Sequence, residues 1–184
     1  DDYLTKPCRR DELLEAVQAR LQRSSSLEQA AQRLQNETRY AMQIDTLTAL
    51  PGRDLFEQQL ASALEHHGGV ALLCLGLDGF AKINESLGTG VGDLVLREVG
   101  KRLNLYSAQW EQPTAHDVVG RIGGDQFAVC MAGLTTEDHL NERAAELLRR
   151  LAQPYQVSGH TLFLTASAGT SLYPTQADSA HALL

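Results

Sequence analysis

The sequence predicts an α+β domain in which a central sheet containing antiparallel strands is flanked by helices, with a helical extension at its N-terminus. The apolar run VALLCLGL, Val70–Leu77, has the length of a strand and lacks polar alternation, as expected of a strand covered on both faces. The stretch VVGRIGGDQFAV, Val118–Val129, places two apolar runs around a Gly-Gly turn whose glycines accept positive φ, which predicts a β-hairpin. Segments of helical periodicity separate these strands.

Composition restricts the class of protein. The chain has 184 residues, 43% of them hydrophobic and 21% charged, which is typical of a globular domain with an appendage. Its net charge of −7 argues against nucleic acid as a partner, because binding to phosphates needs clustered Lys and Arg. No apolar run reaches the roughly 18 residues that span a bilayer, so we expect no membrane association. The three cysteines, Cys8, Cys74 and Cys130, are far apart, which indicates a reducing, cytoplasmic location.

The N-terminal extension shows two helical segments. Apolar residues recur at helical spacing from Asp11 to Leu21, and a serine run interrupts the pattern at residues 24–26. The next segment, to about Met42, is polar except for a sparse stripe formed by Leu27, Ala31, Leu34 and Ala41. This stripe predicts a linker helix that pairs with a copy of itself, and a single solvated helix is the alternative.

The compact domain starts near Asp45. A turn and a helix run to the stop at Gly68-Gly69, and the buried strand follows. A short polar element reaches Leu87, the segment GTGVGD predicts a tight turn capped by Asp93, and a helix follows. The hairpin comes after a loose loop at residues 107–117. A helix over EDHLNERAAELLRRLAQ and one long strand or bent pair over HTLFLTASAGTSLY complete a ferredoxin-like order.

Two acidic residues are candidates for metal binding. Asp78 follows the buried strand and Asp125 lies at the hairpin tip, so their carboxylates converge if the two strands are neighbours. Converging carboxylates hold Mg²⁺ against substrate phosphates, whereas isolated ones at strand ends are solvated turn residues. GTGVGD lacks the Lys-Ser/Thr of a phosphate loop. The histidines at positions 66, 67 and 116 have no partner at metal-ligand spacing and are expected to be surface residues.

Four motifs in order resemble the GGDEF domain, the diguanylate cyclase fold, over residues 45–184. They are DTLTALPGR, LGLDGFAKINESLGTGVGDLVL, GRIGGDQF and SAGTSLYP. A shorter similarity joins DDYLTKP and the helix after it, residues 1–23, to the end of a response-regulator receiver domain, with Lys6 as its phosphate-sensing lysine. The phosphoacceptor aspartate would lie upstream, residues 24–44 would be the helical linker, and the GGDEF domain would be truncated at its C-terminus.

The resemblance implies an activity and a set of site residues. GGDEF domains join two GTP molecules into cyclic di-GMP across two facing subunits, so it implies GTP binding, Mg²⁺ and a homodimer. Asn84 and Asp93 would bind the guanine edge. Phe80 and Gly124 would belong to the nucleotide site, with Gly124 beside the phosphates. Asp125 would be the catalytic metal ligand, assisted by the Leu77 carbonyl.

This chain departs from the family pattern at several positions. Gln126 and Gly76 stand where active members carry acidic residues. In those members the aspartate at the position of Gly76 is a principal Mg²⁺ ligand, so we expect Mg²⁺ binding by this chain to be weak or absent. Ala81 replaces a lysine, with Lys82 adjacent, and Thr89 replaces a histidine. In the product-feedback motif Asp117 remains while Thr114 replaces the arginine that would clamp a phosphate.

The leading hypothesis is a catalytically weak or inactive GGDEF domain in a two-component, cyclic-di-GMP signalling protein. It would bind GTP or act as a dimeric regulatory module. The segment LDGFAKINESLG also resembles GGDEF domains that precede an EAL phosphodiesterase domain, and this predicts an EAL domain downstream. The alternatives are a working diguanylate cyclase and a dimerisation scaffold that binds no nucleotide.

Overall fold

The structure is a computed structural model that describes residues 20–22, 26, 43–109, 114, 116–177 and 179–183. The chain divides into two units, Asp1–Met42 and Gln43–Leu184, and each is considered by itself. In the first unit, Arg20, Leu21, Gln22 and Ser26 are helical and exposed. The rest of the receiver-like segment, including Lys6, and the linker stripe from Leu27 to Ala41 lie outside the described residues.

The second unit alternates helices and strands. Its helices are α1 (Arg53–His66), α2 (Phe80–Leu87), α3 (Thr89–Ser107), α4 (Glu137–Leu151) and α5 (Ala180–Leu183). Its strands are β1 (Val70–Leu77), β2 (Val118–Gly123), β3 (Gln126–Ala132), β4 (Tyr155–Val157), β5 (His160–Leu162) and β6 (Ala166–Tyr173). Among the described residues no helix is both long and apolar enough to cross a membrane.

The main sheet has four antiparallel strands in the order β2-β3-β1-β6. Strand β1 lies inside the sheet, and its burial on both faces explains its continuous apolar sequence. The predicted hairpin is β2-β3, and the predicted adjacency of the first strand to the hairpin is confirmed, since β1 pairs with β3 from Val70–Ala132 to Gly76–Gln126. The predicted α+β class with helices on the sheet faces is therefore confirmed.

Side chains alternate between two cores because successive residues of a strand point to opposite faces. On one face Leu73 and Leu75 of β1 join Phe127 and Val129 of β3 under α3 and α4. On the other face Leu72 and Cys130 pack with Phe56 and Leu60 of α1. The same alternation places Gly76, Cys74 and Gln126 on the α1 side, toward its first turn.

Three local expectations need correction, and one strand was not predicted. The segment GTGVGD is not a turn capped by Asp93, because α3 already begins at Thr89 and its N-terminal flanking residue is Gly88, at φ 83°. The hairpin turn does not use positive φ at Gly123 or Gly124. For HTLFLTASAGTSLY the single long strand is wrong, and the segment forms a pair of strands that belong to different sheets, β6 in the main sheet and β5 paired with β4 in a separate ribbon. Strand β4, Tyr155–Val157, was not predicted, because three residues are too few to show a period.

Candidate functional site

The hairpin tip lies against the end of β1. Gly76 and Gln126 are directly opposite in the β1-β3 register, and the Leu77 amide donates to the Asp125 carbonyl over 3.3 Å. The two positions at which the family resemblance implies acidic side chains are therefore cross-strand neighbours on one face of the sheet. Asp125 is half-buried next to them. The structure thus brings together Asp125, Leu77 and the two departing positions.

A cavity of about 260 Å³ opens beside this pair, between the strand ends and the first turn of α1. It is lined by Arg53, Cys74, Leu75, Gly76, Ile122 and Gln126. A Cβ added to Gly76 would meet no atom within 4 Å. The lining contains no carboxylate and one guanidinium, so its charge is the opposite of the one that a metal ion needs.

Arg121 joins the hairpin tip to the segment before α1. Its Nη1 contacts both carboxylate oxygens of Asp45 at 3.1 Å, and its Nε and Nη2 donate to the Gly124 carbonyl at 3.0 and 2.7 Å. Burial by itself would raise the pKa of Asp45, but hydrogen bonds from Thr48 and the Arg121 guanidinium hold it below its ordinary value. Sequence reasoning missed this clamp, although both residues stand inside the quoted motifs.

Asp78 connects the end of β1 to the start of β6 through hydrogen bonds. One carboxylate oxygen accepts a hydrogen bond from the Thr165 hydroxyl at 2.7 Å and the other from the Ser167 hydroxyl at 2.8 Å. Its amide also donates to the Thr165 carbonyl at 2.9 Å. The hydroxyl bonds lower the pKa of Asp78. These contacts fasten the end of β1 to the start of β6 and give Asp78 a structural explanation that does not require a metal.

The predicted guanine-binding residues lie at the α2-α3 corner. Asn84 of α2 is half-buried, and its Oδ1 is fully buried without a hydrogen-bond partner in the described part of the chain. A Cβ on Gly92 would overlap this Oδ1 and would lie 3.2 Å from Cζ of Phe80, so only glycine allows this close approach. Asp93, the next residue, is exposed on α3, and Phe80 is buried. The corner therefore combines the Asn84 amide, whose Oδ1 is closed off from solvent and has no described partner, with the exposed carboxylate of Asp93.

Asp117, the predicted remnant of the feedback motif, caps the entry to β2. Its Oδ2 accepts a hydrogen bond from the Thr114 amide at 2.6 Å, and its Oδ1 accepts one from the Ala132 amide at 2.7 Å. The carboxylate thus joins the loop before β2 to the end of β3. This role is structural and does not depend on a phosphate ligand.

Three histidines that were expected to be surface residues contact one another: His66 is exposed, and His67 and His116 are half-buried. His67 Nε2 lies 3.1 Å from His116 Nδ1, and the His66 ring stacks on His116 with centroids 5.0 Å apart. His66 Nδ1 also lies 2.7 Å from the Ser62 carbonyl. The fold brings these residues together across 49 positions of sequence, which spacing alone could not reveal.

The residues at the hairpin do not fit a Mg²⁺ ion. Mg²⁺ prefers anionic oxygen ligands in near-octahedral geometry, and the pair facing the cavity consists of a glycine and a neutral amide. Nowhere in the described residues do three or more His, Cys, Asp or Glu side chains form a group able to hold a metal ion. Asp125 and the Leu77 carbonyl remain as one charged and one neutral donor.

Fold and motifs together define a class of protein. The family model "Diguanylate cyclase, GGDEF domain" matches residues 42–184. This range contains the four-stranded sheet, the β2-β3 hairpin with its GGDQF tip and the α2-α3 corner. The chain belongs to the GGDEF family.

Particular relatives extend this assignment. The chain is 35% identical over 144 residues to the bifunctional diguanylate cyclase/cyclic di-GMP phosphodiesterase MucR of Pseudomonas aeruginosa, covering 76% of this chain and 20% of MucR. It is 36% identical over 145 residues to the diguanylate cyclase TpbB of the same species, covering 76% of this chain and 32% of TpbB. The chain thus spans a third or less of the length of these relatives.

Solved structures agree with the fold. A sensory box/GGDEF family protein from Caulobacter crescentus superposes with a TM-score of 0.69 at 32% identity, covering 77% of this chain and 90% of that one. The GGDEF domain of TpbB from Pseudomonas aeruginosa gives 0.68 at 35% identity, covering 76% and 81%.

Proposed function

We propose that this domain binds GTP but has little or no diguanylate cyclase activity, and that it acts as a regulatory module in a cyclic-di-GMP signalling protein. The observation that carries the proposal is the direct cross-strand pairing of Gly76 with Gln126 beside Asp125. These are the positions that would supply metal-binding carboxylates, and neither has one.

Loss of those carboxylates affects catalysis more than binding. When bound, Mg²⁺ supplies charge that stabilises phosphoryl transfer, for which positioning and electrostatics provide almost all of the rate. The chain's own residues at the hairpin can still orient a nucleotide, since Gly124 leaves its surroundings open to a ligand and Arg121 fixes its carbonyl. We therefore expect binding without turnover.

The α2-α3 corner supports recognition of guanine. Asn84 carries both an amide donor and an amide acceptor, which match the guanine edge; its Oδ1 is buried against Gly92 without a described partner, so the side chain must turn outward to accept from a guanine N–H. The exposed Asp93 carboxylate can accept from guanine N1–H and N2–H₂, two donors that adenine does not present at those positions. Both features favour GTP over ATP and involve no metal.

Calorimetric titration of the 184-residue chain with GTP and ATP, together with chromatographic detection of cyclic di-GMP, tests the proposal. We expect GTP to bind more tightly than ATP, Asn84→Ala to weaken GTP binding by about tenfold, and no product to form. Asn104→Ala, an exposed change near the end of α3, is the matched control and should leave binding unchanged.

Two results would contradict the proposal. Sustained formation of cyclic di-GMP would favour the alternative of a working cyclase, and equal or absent binding of both nucleotides would favour a scaffold. The double variant Gly76→Asp/Gln126→Glu should gain Mg²⁺ affinity, because it restores two anionic ligands on one face. If it binds Mg²⁺ no better, the assignment of the site is wrong.

We place this domain within a longer signalling chain. MucR is named as both a cyclase and a phosphodiesterase, and NbdA of Pseudomonas aeruginosa, 34% identical over 164 residues, is a cyclic di-GMP phosphodiesterase. These names support an EAL phosphodiesterase downstream as a partner. The receiver-like residues 1–23 and a homodimer formed through residues 24–44 are the proposed upstream parts. Replacing Leu27 and Leu34 with Lys should dissociate a dimer in sedimentation, and an unchanged dimer would exclude that interface.

A further inference from the structure

The cavity at the hairpin is lined by one guanidinium and no carboxylate, which distinguishes it from a metal site. We infer that it holds the phosphate chain of the bound nucleotide against Arg53 without Mg²⁺. The inference rests on the proposed binding of GTP and specifies which ionic form of the ligand the site accepts.

The first argument is the composition of the lining. Strand alternation brings Cys74, Gly76 and Gln126 to one face, and Arg53 and Ile122 complete the wall. A metal-loaded triphosphate is partly neutralised by its cation, and carboxylates hold that cation. Here the only formal charge in the lining is positive, so an uncomplexed polyphosphate is electrostatically preferred.

The second argument is space. A water molecule occupies about 30 Å³, so a cavity of about 260 Å³ accommodates a group larger than several waters. The open volume adjoins Gly76, where an added Cβ would touch nothing within 4 Å. The missing side chain therefore leaves room as well as removing charge.

The third argument is the placement of Arg53. Its Nε donates to the Ile122 carbonyl at 3.0 Å, which fixes the guanidinium to the hairpin, while Nη1 lies 3.5 Å from Glu57. Nη2 makes no hydrogen bond to any described residue. The side chain is 52% exposed, so Nη2 is open to a ligand. A guanidinium fixed in this way can donate from Nη2 to a phosphate oxygen, and such a charge-assisted hydrogen bond is shorter and stronger than a neutral one.

Acidic neighbours reduce the positive charge at the cavity, since Glu57 is ion-paired with Arg53 at 3.5 Å and the half-buried Asp125 directly precedes Gln126. Burial raises the pKa of Cys74, against the opposing influence of Arg53, so the thiol stays neutral and adds no negative charge at pH 7. Asp54 and Glu57 lie in the first turns of α1 but do not line the cavity. Arg53 is the first residue of a helix of 14 residues, whose positive dipole end adds to the field at the cavity mouth.

Titration of the chain with GTP and, separately, with inorganic tripolyphosphate, each in Mg²⁺ and in EDTA, tests the inference. We expect both ligands to bind in EDTA with affinities at least equal to those in Mg²⁺. Arg53→Gln should weaken both about tenfold, because it removes the one cation of the lining. The matched control is Arg149→Gln, which makes the same charge change on α4, on the other face of the sheet. Gly76→Asp, for which the cavity has room, should weaken both ligands in EDTA by like-charge repulsion.

The outcomes separate the two proposals. GTP binding that requires Mg²⁺ would overturn this inference and leave GTP binding intact. Binding in EDTA that Arg53→Gln does not weaken would also overturn it, because the phosphates would then lie elsewhere. Failure of GTP to bind in either buffer would overturn the proposed function itself, and the inference with it.

Discussion

Removing Arg121 should loosen the hairpin tip and destabilise the domain. Arg121 connects three pieces of chain, since its guanidinium binds the Asp45 carboxylate and the Gly124 carbonyl and its amide donates to the Pro51 carbonyl at 2.8 Å. The substitution Arg121→Gln keeps the backbone bond and loses the charged ones. The Asp45 carboxylate is then left half-buried with only Thr48 as a donor.

The structure bounds the size of the effect. The side chains of Arg121 and Asp45 are only 15% and 24% exposed, so their pair is worth more than the 0.2–1 kcal/mol that is roughly typical of exposed pairs. Hydrogen bonds to charged groups contribute about 1.5–3 kcal/mol each before solvent screening. We expect Arg121→Gln to lower the free energy of unfolding by about 2–3 kcal/mol, with about 1–2 kcal/mol of this as coupling to Asp45.

A double-mutant cycle of Arg121→Gln and Asp45→Asn, followed by urea unfolding, measures that coupling. The exposed pair Glu98–Lys101, at 38% and 65% exposure, is the matched control and should couple by less than about 0.5 kcal/mol. Because the folded pKa of Asp45 is below its ordinary 3.8, its contribution is complete above that pH and is lost as the pH falls further. Coupling no larger than the control, or unchanged at pH 3, would refute the clamp.

Two further predictions concern packing. Gly120→Ala should destabilise the domain by about 1–3 kcal/mol in urea unfolding, because its Cβ would lie 2.7 Å from the buried Phe56 ring. Gly169→Ala is the control: its added Cβ would have no atom within 4 Å, so it should cost less than about 1 kcal/mol. Equal losses of stability in the two variants would contradict the close contact. Arg102→Ala should lower the free energy of unfolding by about 1.5–3 kcal/mol, because Arg102 donates to two carbonyls at the end of α4 and two just after it and lies 3.7 Å over the Tyr155 ring. Thermal unfolding unchanged from that of the parent chain would refute this role.

Local patterns were sufficient for much of the fold. Burial on both faces gives a strand a continuous apolar sequence, which identified β1, and the Gly-Gly turn between apolar runs identified the β2-β3 hairpin. Helical periodicity located α1 and α4, because one face of each must be apolar to cover the sheet. Family motifs then named the candidate residues, including the missing charges at Gly76 and Gln126.

The start of α3 shows why local patterns fail in places. Glycines weaken a helix in isolation, so GTGVGD indicated a turn. In the folded domain, Gly92 lets α3 approach Asn84 and Phe80 of α2 closely, and this packing holds the glycine-containing turn of α3 as helix. The propensity is worth about 1 kcal/mol per glycine, which tertiary packing can exceed.

The candidate site likewise has features that local sequence patterns predicted and features that only tertiary contacts decided. The sequence by itself determined which side chains are present and, through strand alternation, which of them share a face of the sheet. Only the tertiary structure decided that Arg121 binds the Asp45 carboxylate and that His67 contacts His116. The two contacts join residues 76 and 49 positions apart. It also decided that Arg53 and Gly76 line the same cavity. Helix and strand periods extend over a few residues only, whereas such contacts depend on strand register and on where α1 packs, which no local pattern encodes.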